Sequence, residues 1–443
     1  MDASGWDETG PDAAHARLIE DNLVLTCEAE HLYRDGGFAG DAALLDRLRG
    51  RVSRNTRVLG TVFPGFPAHS PPPPQLFGGT AAFREKLGAA LAAPLPPGPP
   101  TLLCETRDVR LSGNALFLVE DGRPQVLFET YRPQERHVVP GPSPDFLQVD
   151  ETVGEGEGLV FLLNSAGSFN YGHWLIDDLP RLRALDGLSA QHPRMPVTVA
   201  LVSYFPHIDA ARQRSIELIL GSGRGVSIRF LDRSKTYHFA RLHHATPCSL
   251  PSTGKSPHAL RSLTGQVRAR TRLRRGLFGL RALAGRGRRL FVDRHPGRGR
   301  GLANREAVLG LLRRLGFEPF DPELASVRQQ AVRFASAETV VGIAGAGMAN
   351  TVFCEPGTPI LHLVPEGWED PFYAELAALR GEGYRAVFGP RVAPGPGSAV
   401  PPDWPAHLHD FSVEPAELMA ALAAADPARF SGARRAVPDP DAP

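Results

Sequence analysis

Between residues 288 and 365, short apolar runs and helical patterns alternate without interruption, and few architectures accept that order. "RRLFVDR" reads as a strand and "LANREAVLGLLRRLG" as a helix closed by glycine. "FEPFDP" and "SVRQQAVRFASA" repeat the pair, "ETVVGIAG" and "AGMANTVFCEPG" repeat it again, and "TPILHLVPE" adds a last strand. A strand that returns through a helix lies parallel to its predecessor, so these units predict a parallel, doubly wound sheet. Ligands of such sheets bind outside the carboxyl ends of the strands.

The preceding half has a different texture. Across 101–132, apolar runs are broken by Ser-Gly-Asn and Asp-Gly turns, a hairpin pattern. "GLVFLL" (158–163), "VTVALVS" and "VSIRFLD" read as strands, and "RQRSIELILGSG" as a helix with a glycine stop, so this half is also α/β. "TPCSLPSTGKSPHA" (246–259) reads as a linker. At 443 residues the chain is too long for one ordinary core. The expected division is a mixed, proline-rich region over 1–100, an α/β domain over 101–250, a Rossmann-like domain over 260–390, and over 391–443 a proline-rich segment, a helix and a flexible tail.

A formal net charge of +1 gives no global signature for a nucleic-acid partner. Asp293 is the only acid between 261 and 300, among many arginines, but that stretch lacks the interleaved aromatics of a base-stacking surface. It reads as a solvated helix face or as a peripheral contact with anionic lipid. Four cysteines (Cys27, Cys104, Cys248, Cys354) lie far apart with no CxxC, which argues against a disulfide framework and a thiolate zinc site. No apolar run approaches the roughly 18–20 residues of a membrane span. "MDASGWDETG" has no basic stretch followed by an apolar one, so a cytoplasmic protein is expected.

Two stretches suit an anionic ligand. "VVGIAGAGMAN" (340–350) runs from a strand through Gly345-Ala346-Gly347-Met348 into a helix, where small residues and the first N–H groups of the helix suit a phosphate or diphosphate. Tight packing alone would also use such glycines. Asn350 stands where a dinucleotide fingerprint needs its third small residue, and the turn comes late in its domain, although Glu366 sits where a ribose-binding acid would. "FVDRHPGRGRGLANREAV" carries Arg294, Arg298 and Arg300 in a glycine-rich loop before a helix with Asn304 and Glu306. Arginine offers a planar fork of donors matched to phosphate oxygens.

"FNYGHWLIDDLPRLRAL" (169–185) sets polar residues among leucines. On a helix, His173 and Asp177 share a face at i and i+4, Trp174, Asp178 and Arg181 lie on the neighbouring stripe, and Leu175, Leu179 and Leu182 form the apolar one. Asn170 suits the N-cap, and Pro180 should kink or shorten the helix. A carboxylate raises imidazole basicity and fixes its tautomer, so the pair suits a general base. A structural polar pair is the competing reading.

"NYGHWLIDDLPRL", the arginines and asparagine of "DRHPGRGRGLANREAV", "GFEPFDPELASVRQQAVRFASAETVVGIAGAGMAN" and "PGTPILHLVP" together resemble the family-61 glycosyltransferases, over roughly residues 100–390. The resemblance implies a GT-B arrangement, two Rossmann-like domains facing across a cleft. It implies inverting transfer from a nucleotide-sugar, such as a UDP-sugar, to a glycan or lipid-linked glycan, with no metal or other cofactor. The only Asp-x-Asp, Asp439 to Asp441, lies in the tail. The resemblance places Asn170, His173 and Asp177 on the acceptor side, with His173 or Asp177 as base and Trp174, Asp178 and Arg181 near the substrate. Arg294, Arg300, Asn304, Gly345, Ala346, Gly347, Met348 and Asn350 fall on the donor side. Ala344 replaces a histidine common in the family, and His362 replaces an acid. A bacterial capsule or exopolysaccharide enzyme, cytoplasmic or peripheral at the inner membrane face, is the implied setting. An NAD(P)-dependent oxidoreductase and a non-catalytic glycan or polyanion binder are the competing functions.

Overall fold

The computed structural model describes residues 21–27, 46–120, 122–130, 148–154, 158–221, 225–249, 254–272, 288–294, 300–392 and 408–430. In chain order its strands begin β1 (Leu23–Val24), β2 (Thr56–Phe63), β3 (Gln75–Gly78), β4 (Thr101–Ser112), β5 (Ala115–Glu120), β6 (Arg123–Leu127), β7 (Glu151–Val153) and β8 (Leu159–Leu162). They continue with β9 (Val197–Val202), β10 (Val226–Leu231), β11 (Thr236–Ala245), β12 (Arg288–Val292), β13 (Phe317–Phe320), β14 (Ala337–Ile343), β15 (Ile360–Pro365) and β16 (Arg385–Gly389). The longer helices are α1 (Ala81–Ala92), α2 (Ala184–Gln191), α3 (Pro206–Leu220), α4 (Pro257–Arg272), α5 (Arg305–Arg314), α6 (Val327–Ala335), α7 (Phe372–Leu379) and α8 (Pro415–Ala425). Among the described residues, no helix is long and apolar enough to cross a membrane.

The chain divides into two compact units: residues 2–68 with 96–267, and residues 69–95 with 268–443. The division falls within α4, just after the stretch 246–259 expected as a linker. Residues 1–100, expected as a region of their own, instead supply strands to both sheets: β2 pairs with β4, and β3 pairs with β16.

The N-terminal unit is built on a mixed sheet in the order β1-β6-β5-β4-β11-β8-β9-β10, with β2 beside β4 and β7 beside β11. The expected hairpins are present as antiparallel β4-β5 and β5-β6. β11, β8, β9 and β10 run parallel as a Rossmann-like segment, and the short strands β1 and β7 add parallel pairings to β6 and β11. The difference arises at β11, which closes antiparallel onto β4 and so joins the hairpin half to the parallel half. Val109, Leu111, Val160, Leu162, Ala200, Val202, Tyr237 and Phe239 form the core on one face, at the alternate positions that strand geometry requires.

The C-terminal unit is the doubly wound sheet that the βα alternation predicts. Its order is β13-β12-β14-β15-β16-β3, parallel at every pairing. Phe291, Val341, Ile343, Leu361, Leu363 and Val387 pack with Val308 and Leu312 of α5 and Leu418 and Leu422 of α8. α6 begins with a capping box, Ser326 and Gln329 each serving the other's backbone, the signature visible in "SVRQ".

Two buried histidines give the fold a pH dependence. His244 lies within 3.0 Å of the Thr106 hydroxyl, and His362 lies between the rings of Tyr373 and Tyr384 at 4.8 and 5.1 Å. Burial pushes their pKa values down, to about 3 for His244 and about 4 for His362. Both are therefore neutral in the fold at neutral pH, whereas the unfolded chain protonates them near the ordinary value of 6.5. Below that value the unfolded state holds more protons, so their contribution is complete above pH 6.5 and is lost as pH falls toward 4. The slope is on the order of 1.4 kcal/mol per pH unit for each histidine. Urea unfolding at about pH 5 should show a lower midpoint than at about pH 7.5, and His362→Phe should reduce the difference. Equal midpoints would contradict neutral burial of these rings.

Candidate functional site

In the N-terminal unit, residues 169–185, expected as a helix that Pro180 kinks or shortens, are not one regular helix. Asn170 Oδ1 accepts from the Gly172 N–H at 2.8 Å and caps one α turn, Tyr171–His173. Trp174–Asp178 then widens into a π turn, and Leu179–Arg183 tightens into 3₁₀ spacing before α2. Pro180 lacks an N–H and its ring obstructs regular α pairing, so the ladder shifts register around it. Such π turns concentrate at functional sites.

The irregular turn still joins His173 to Asp177. His173 Nδ1 lies 2.8 Å from Asp177 Oδ2, with the carboxylate buried and the imidazole 30% exposed. Gly167 makes room for the ring, since a Cβ there would come within 2.9 Å of His173 Cβ. The Cys248 thiol donates to the Asp177 carbonyl at 3.2 Å. The geometry suits an oriented imidazole whose proton sits on Nδ1 toward the carboxylate, with the lone pair on Nε2.

Trp174, Asp178 and Arg181, expected beside the substrate, point into the interior instead. The Asp178 carboxylate pairs with Arg181 and accepts from the Ser165 and Ser168 hydroxyls at 3.1 and 2.6 Å. Arg181 also donates to the carbonyls of Asn164 at 3.0 Å and Ala245 at 3.1 Å, at the carboxyl ends of β8 and β11. Trp174 Nε1 donates to Ser215 Oγ of α3 at 2.8 Å. A buried charge is tolerable when paired and hydrogen-bonded, and here every bond of Arg181 is made through its two terminal nitrogens, which offsets much of the cost of desolvation.

A further polar cluster continues inward, and its residues carry no motif that would single them out. Arg212 of α3 is fully buried, donates to the Val202 carbonyl at 2.6 Å, to Asp209 and to Asn164 Oδ1 at 3.0 Å each, and lies over the Trp174 ring. Asn164 Nδ2 donates to Asn114 Oδ1 at 2.9 Å, and the Tyr204 hydroxyl joins the same oxygen. Burial pushes Tyr204 up to about 12, so it remains a neutral donor. The clue in sequence was position: Asn164 and Tyr204 follow directly on the apolar strands β8 and β9.

In the C-terminal unit, β12 and β14 are neighbours while β13 and β15 flank them on opposite sides, which makes the β12/β14 carboxyl edge a topological switch point. Asp293 and Arg294 leave β12 there, and Ala344 and Gly345 leave β14. A Cβ on Gly345 would collide with the Arg294 guanidinium, so the glycine gives that side chain its place. Asp293 is engaged elsewhere, accepting from Arg305 at 2.5 and 3.0 Å. Arg300 has φ +58°, a left-handed conformation that costs a non-glycine residue on the order of 1 kcal/mol. Its guanidinium lies 4.5 Å from the centroid of the Trp368 ring. Burial, and then repulsion from Arg294, push its pKa down to about 10, so it still carries its charge at neutral pH. The Tyr373 hydroxyl donates to the Gly345 carbonyl at 2.6 Å. Two half-buried guanidinium groups, one opposing the charge of the other, lie beside a glycine turn, an arrangement that suits an anion.

The remaining donor-side residues separate into two groups. Ala346 and Gly347 are half-buried at the turn, which opens the short helix expected there, a 3₁₀ segment, Ala346–Phe353. Met348 and Asn350 point inward: Met348 fills the space above Gly342, and Asn350 donates to Gln330 at 2.6 Å and to the Gly347 carbonyl at 3.0 Å. Asn304 exchanges two bonds with the backbone of Val413, at 2.8 and 3.1 Å, and so anchors the loop rather than facing a ligand. Small or amide side chains at a strand end serve packing as readily as binding, which is why the pattern alone did not separate them. Ala344 is fully buried, and His362 is enclosed by tyrosines, so neither substitutes directly for the polar residues common in the family. Arg298, Gly297, Gly299 and the Asp439–Asp441 pair lie outside the described residues.

Asp178→Ala should lower stability by about 3–5 kcal/mol, because it strands the buried Arg181 charge. His173→Ala, at a partly exposed side chain, should cost less than about 1 kcal/mol. Denaturant titration compares the two, and near-equal losses would contradict the placement of Asp178 in the interior.

Residues 171–361 match the model of the family described as Glycosyltransferase 61. No curated protein matches the chain. The matched span begins at the turn that carries His173 and runs through the arginine loop and the glycine turn to β15, taking in both sites just described. That match makes residues 171–361 similar to the glycosyltransferase 61 family and supports glycosyltransferase activity for the protein.

Proposed function

We propose that the enzyme transfers a sugar from a UDP-sugar to a hydroxyl of a glycan or lipid-linked glycan, with inversion and without a metal ion. The observation that carries this reading is the Arg294–Arg300 pair beside Gly345, with Asp293 already engaged by Arg305. A leaving nucleoside diphosphate gains negative charge as its bond to the sugar breaks, and fixed cations can stabilise that charge in the role a metal would otherwise fill. In this reading the two units are the halves of a GT-B enzyme, the C-terminal one binding the donor. The parallel segments of both sheets support it.

His173 is the base and Asp177 the residue that orients it, because Asp177 is buried whereas the imidazole is partly exposed. The acceptor hydroxyl gives its proton to His173 Nε2 while its oxygen bonds to the anomeric carbon from the face opposite the leaving group. The bond from that carbon to the phosphate oxygen breaks, and its electron pair leaves with the diphosphate. Asp177 then stabilises the imidazolium. Asn170 acts through its cap, and Ala346 and Gly347 let the diphosphate approach the backbone. The biological setting we infer is bacterial capsule or exopolysaccharide synthesis at the cytoplasmic side of the inner membrane. The basic 261–300 stretch would supply contact with anionic lipid.

Thermal unfolding against UDP, GDP, CMP and their sugars, with EDTA or Mn²⁺, tests the donor site. A ligand at about a hundred times its Kd adds roughly 2.7 kcal/mol of stability. Stabilisation by UDP that EDTA leaves intact and Arg294→Ala removes is expected. A shift with NAD(P) alone, or none at all, would sink the proposal. His173→Ala should lower turnover about 10²–10⁴-fold, with Asp177→Asn intermediate. Turnover of wild-type size in His173→Ala would remove it as the base.

A further inference from the structure

The reading of Arg294 and Arg300 as the diphosphate site leaves open what holds Arg300, and the residues that do so lie beyond the span matched to the family, which ends at 361. Trp368 follows the carboxyl end of β15, its N–H donating to the Pro365 carbonyl at 3.2 Å, and its ring faces the Arg300 guanidinium at 4.5 Å. The backbone at Arg300 is held from another direction. Its N–H donates to the Leu408 carbonyl at 3.0 Å, Gly301 N–H to Asp410 Oδ1 at 2.7 Å, and Ala303 N–H to the Phe411 carbonyl at 2.8 Å. The Phe411 N–H returns to Gly301 at 3.0 Å, and Asn304 closes the series with its two bonds to Val413. The segment 408–413 is itself held close to the sheet, because a Cβ on Gly389 would collide with the Ser412 carbonyl.

We propose that Trp368 is a positioning residue: its ring, together with the backbone clamp from Leu408 to Val413, presets Arg300 to receive the diphosphate of the donor. A guanidinium lying on an aromatic face is attracted by the ring quadrupole and keeps its edge N–H groups directed outward in its own plane, toward oxygen ligands. A long side chain on a loop would otherwise lose rotamer freedom on every binding event. Here that ordering precedes the ligand. The left-handed backbone at Arg300 has the same origin, since the pairing with Leu408 and Asp410 imposes the chain direction that aims the side chain at Trp368.

This inference rests on the donor-site reading, and one experiment separates the two. Isothermal titration of the full chain with inorganic pyrophosphate, UDP and uridine would compare wild type with Trp368→Leu, which keeps bulk but removes the π face, and Trp368→Phe, which restores a face. Trp368→Leu should weaken pyrophosphate and UDP about tenfold, the equivalent of roughly 1.4 kcal/mol, and leave uridine within about twofold. Trp368→Phe should bind pyrophosphate within about threefold of wild type. Unchanged pyrophosphate affinity in Trp368→Leu, or equal losses in both variants, overturns the inference while the donor site stands. If Trp368→Leu fails to fold, Trp368→Phe decides: affinity within about threefold upholds the role of the ring, and any larger loss overturns it. A wild-type protein that binds neither pyrophosphate nor UDP overturns the donor site, and this inference with it.

Discussion

The architecture of the N-terminal unit depends on one buried ion pair. Asp178 and Arg181 sit where the carboxyl ends of β8 and β11 meet the turn that carries His173, and Arg181 bonds to a carbonyl from each strand. Neither charge could be buried alone. Satisfying both requires Ser165 and Ser168 from the loop after β8, so loop, sheet edge and turn are specified together. His173 and Asp177, on the same turn, acquire their geometry from this arrangement. The Asn114–Asn164–Tyr204–Arg212 cluster extends the same logic toward α3, where Arg212 has no exposure to water and exchanges its hydration for carbonyl, carboxylate and aromatic partners.

The C-terminal unit takes the opposite course. Arg294 and Arg300 are close enough for each to oppose the other's charge, and Asp293, the acid adjacent in sequence, is committed to Arg305. A fold that brings two like charges together in a desolvated place pays a cost that an anionic ligand can recover. The contrast between the two units is therefore chemical. One neutralises its interior charges and leaves an imidazole at the surface, suited to proton transfer. The other concentrates positive charge at a sheet edge, suited to an anionic leaving group.

Much of this was legible in the sequence, and the exceptions have identifiable causes. The order of strands and helices in the second half, the hairpins of the first and the Asn170 cap all follow from local periodicity or local hydrogen bonding. The destination of β3 did not, because a short run before a helix does not announce which distant sheet edge it will complete. Met348 and Asn350 look like parts of a ligand-binding turn, yet they fill space and bond inward, because a strand-to-helix turn has two faces and sequence does not distinguish them. Nothing local in the sequence marks Trp368, because its partner is 68 residues earlier in the chain.

Sequence alone determined the class of fold and the residue types available at the two edges, since each of these is written in spacing of a few residues. It also placed His173 and Asp177 four apart, a distance that pairs them through a π turn as well as through an α turn. Tertiary structure decided which polar residues face solvent and which are buried. Asp177 and Asp178 are adjacent and chemically identical, yet one pairs with a partly exposed imidazole and the other with the buried arginine that bonds to two strand ends. The physical reason is that a side chain's role depends on its partners and its hydration, and both are set by segments far away in the sequence.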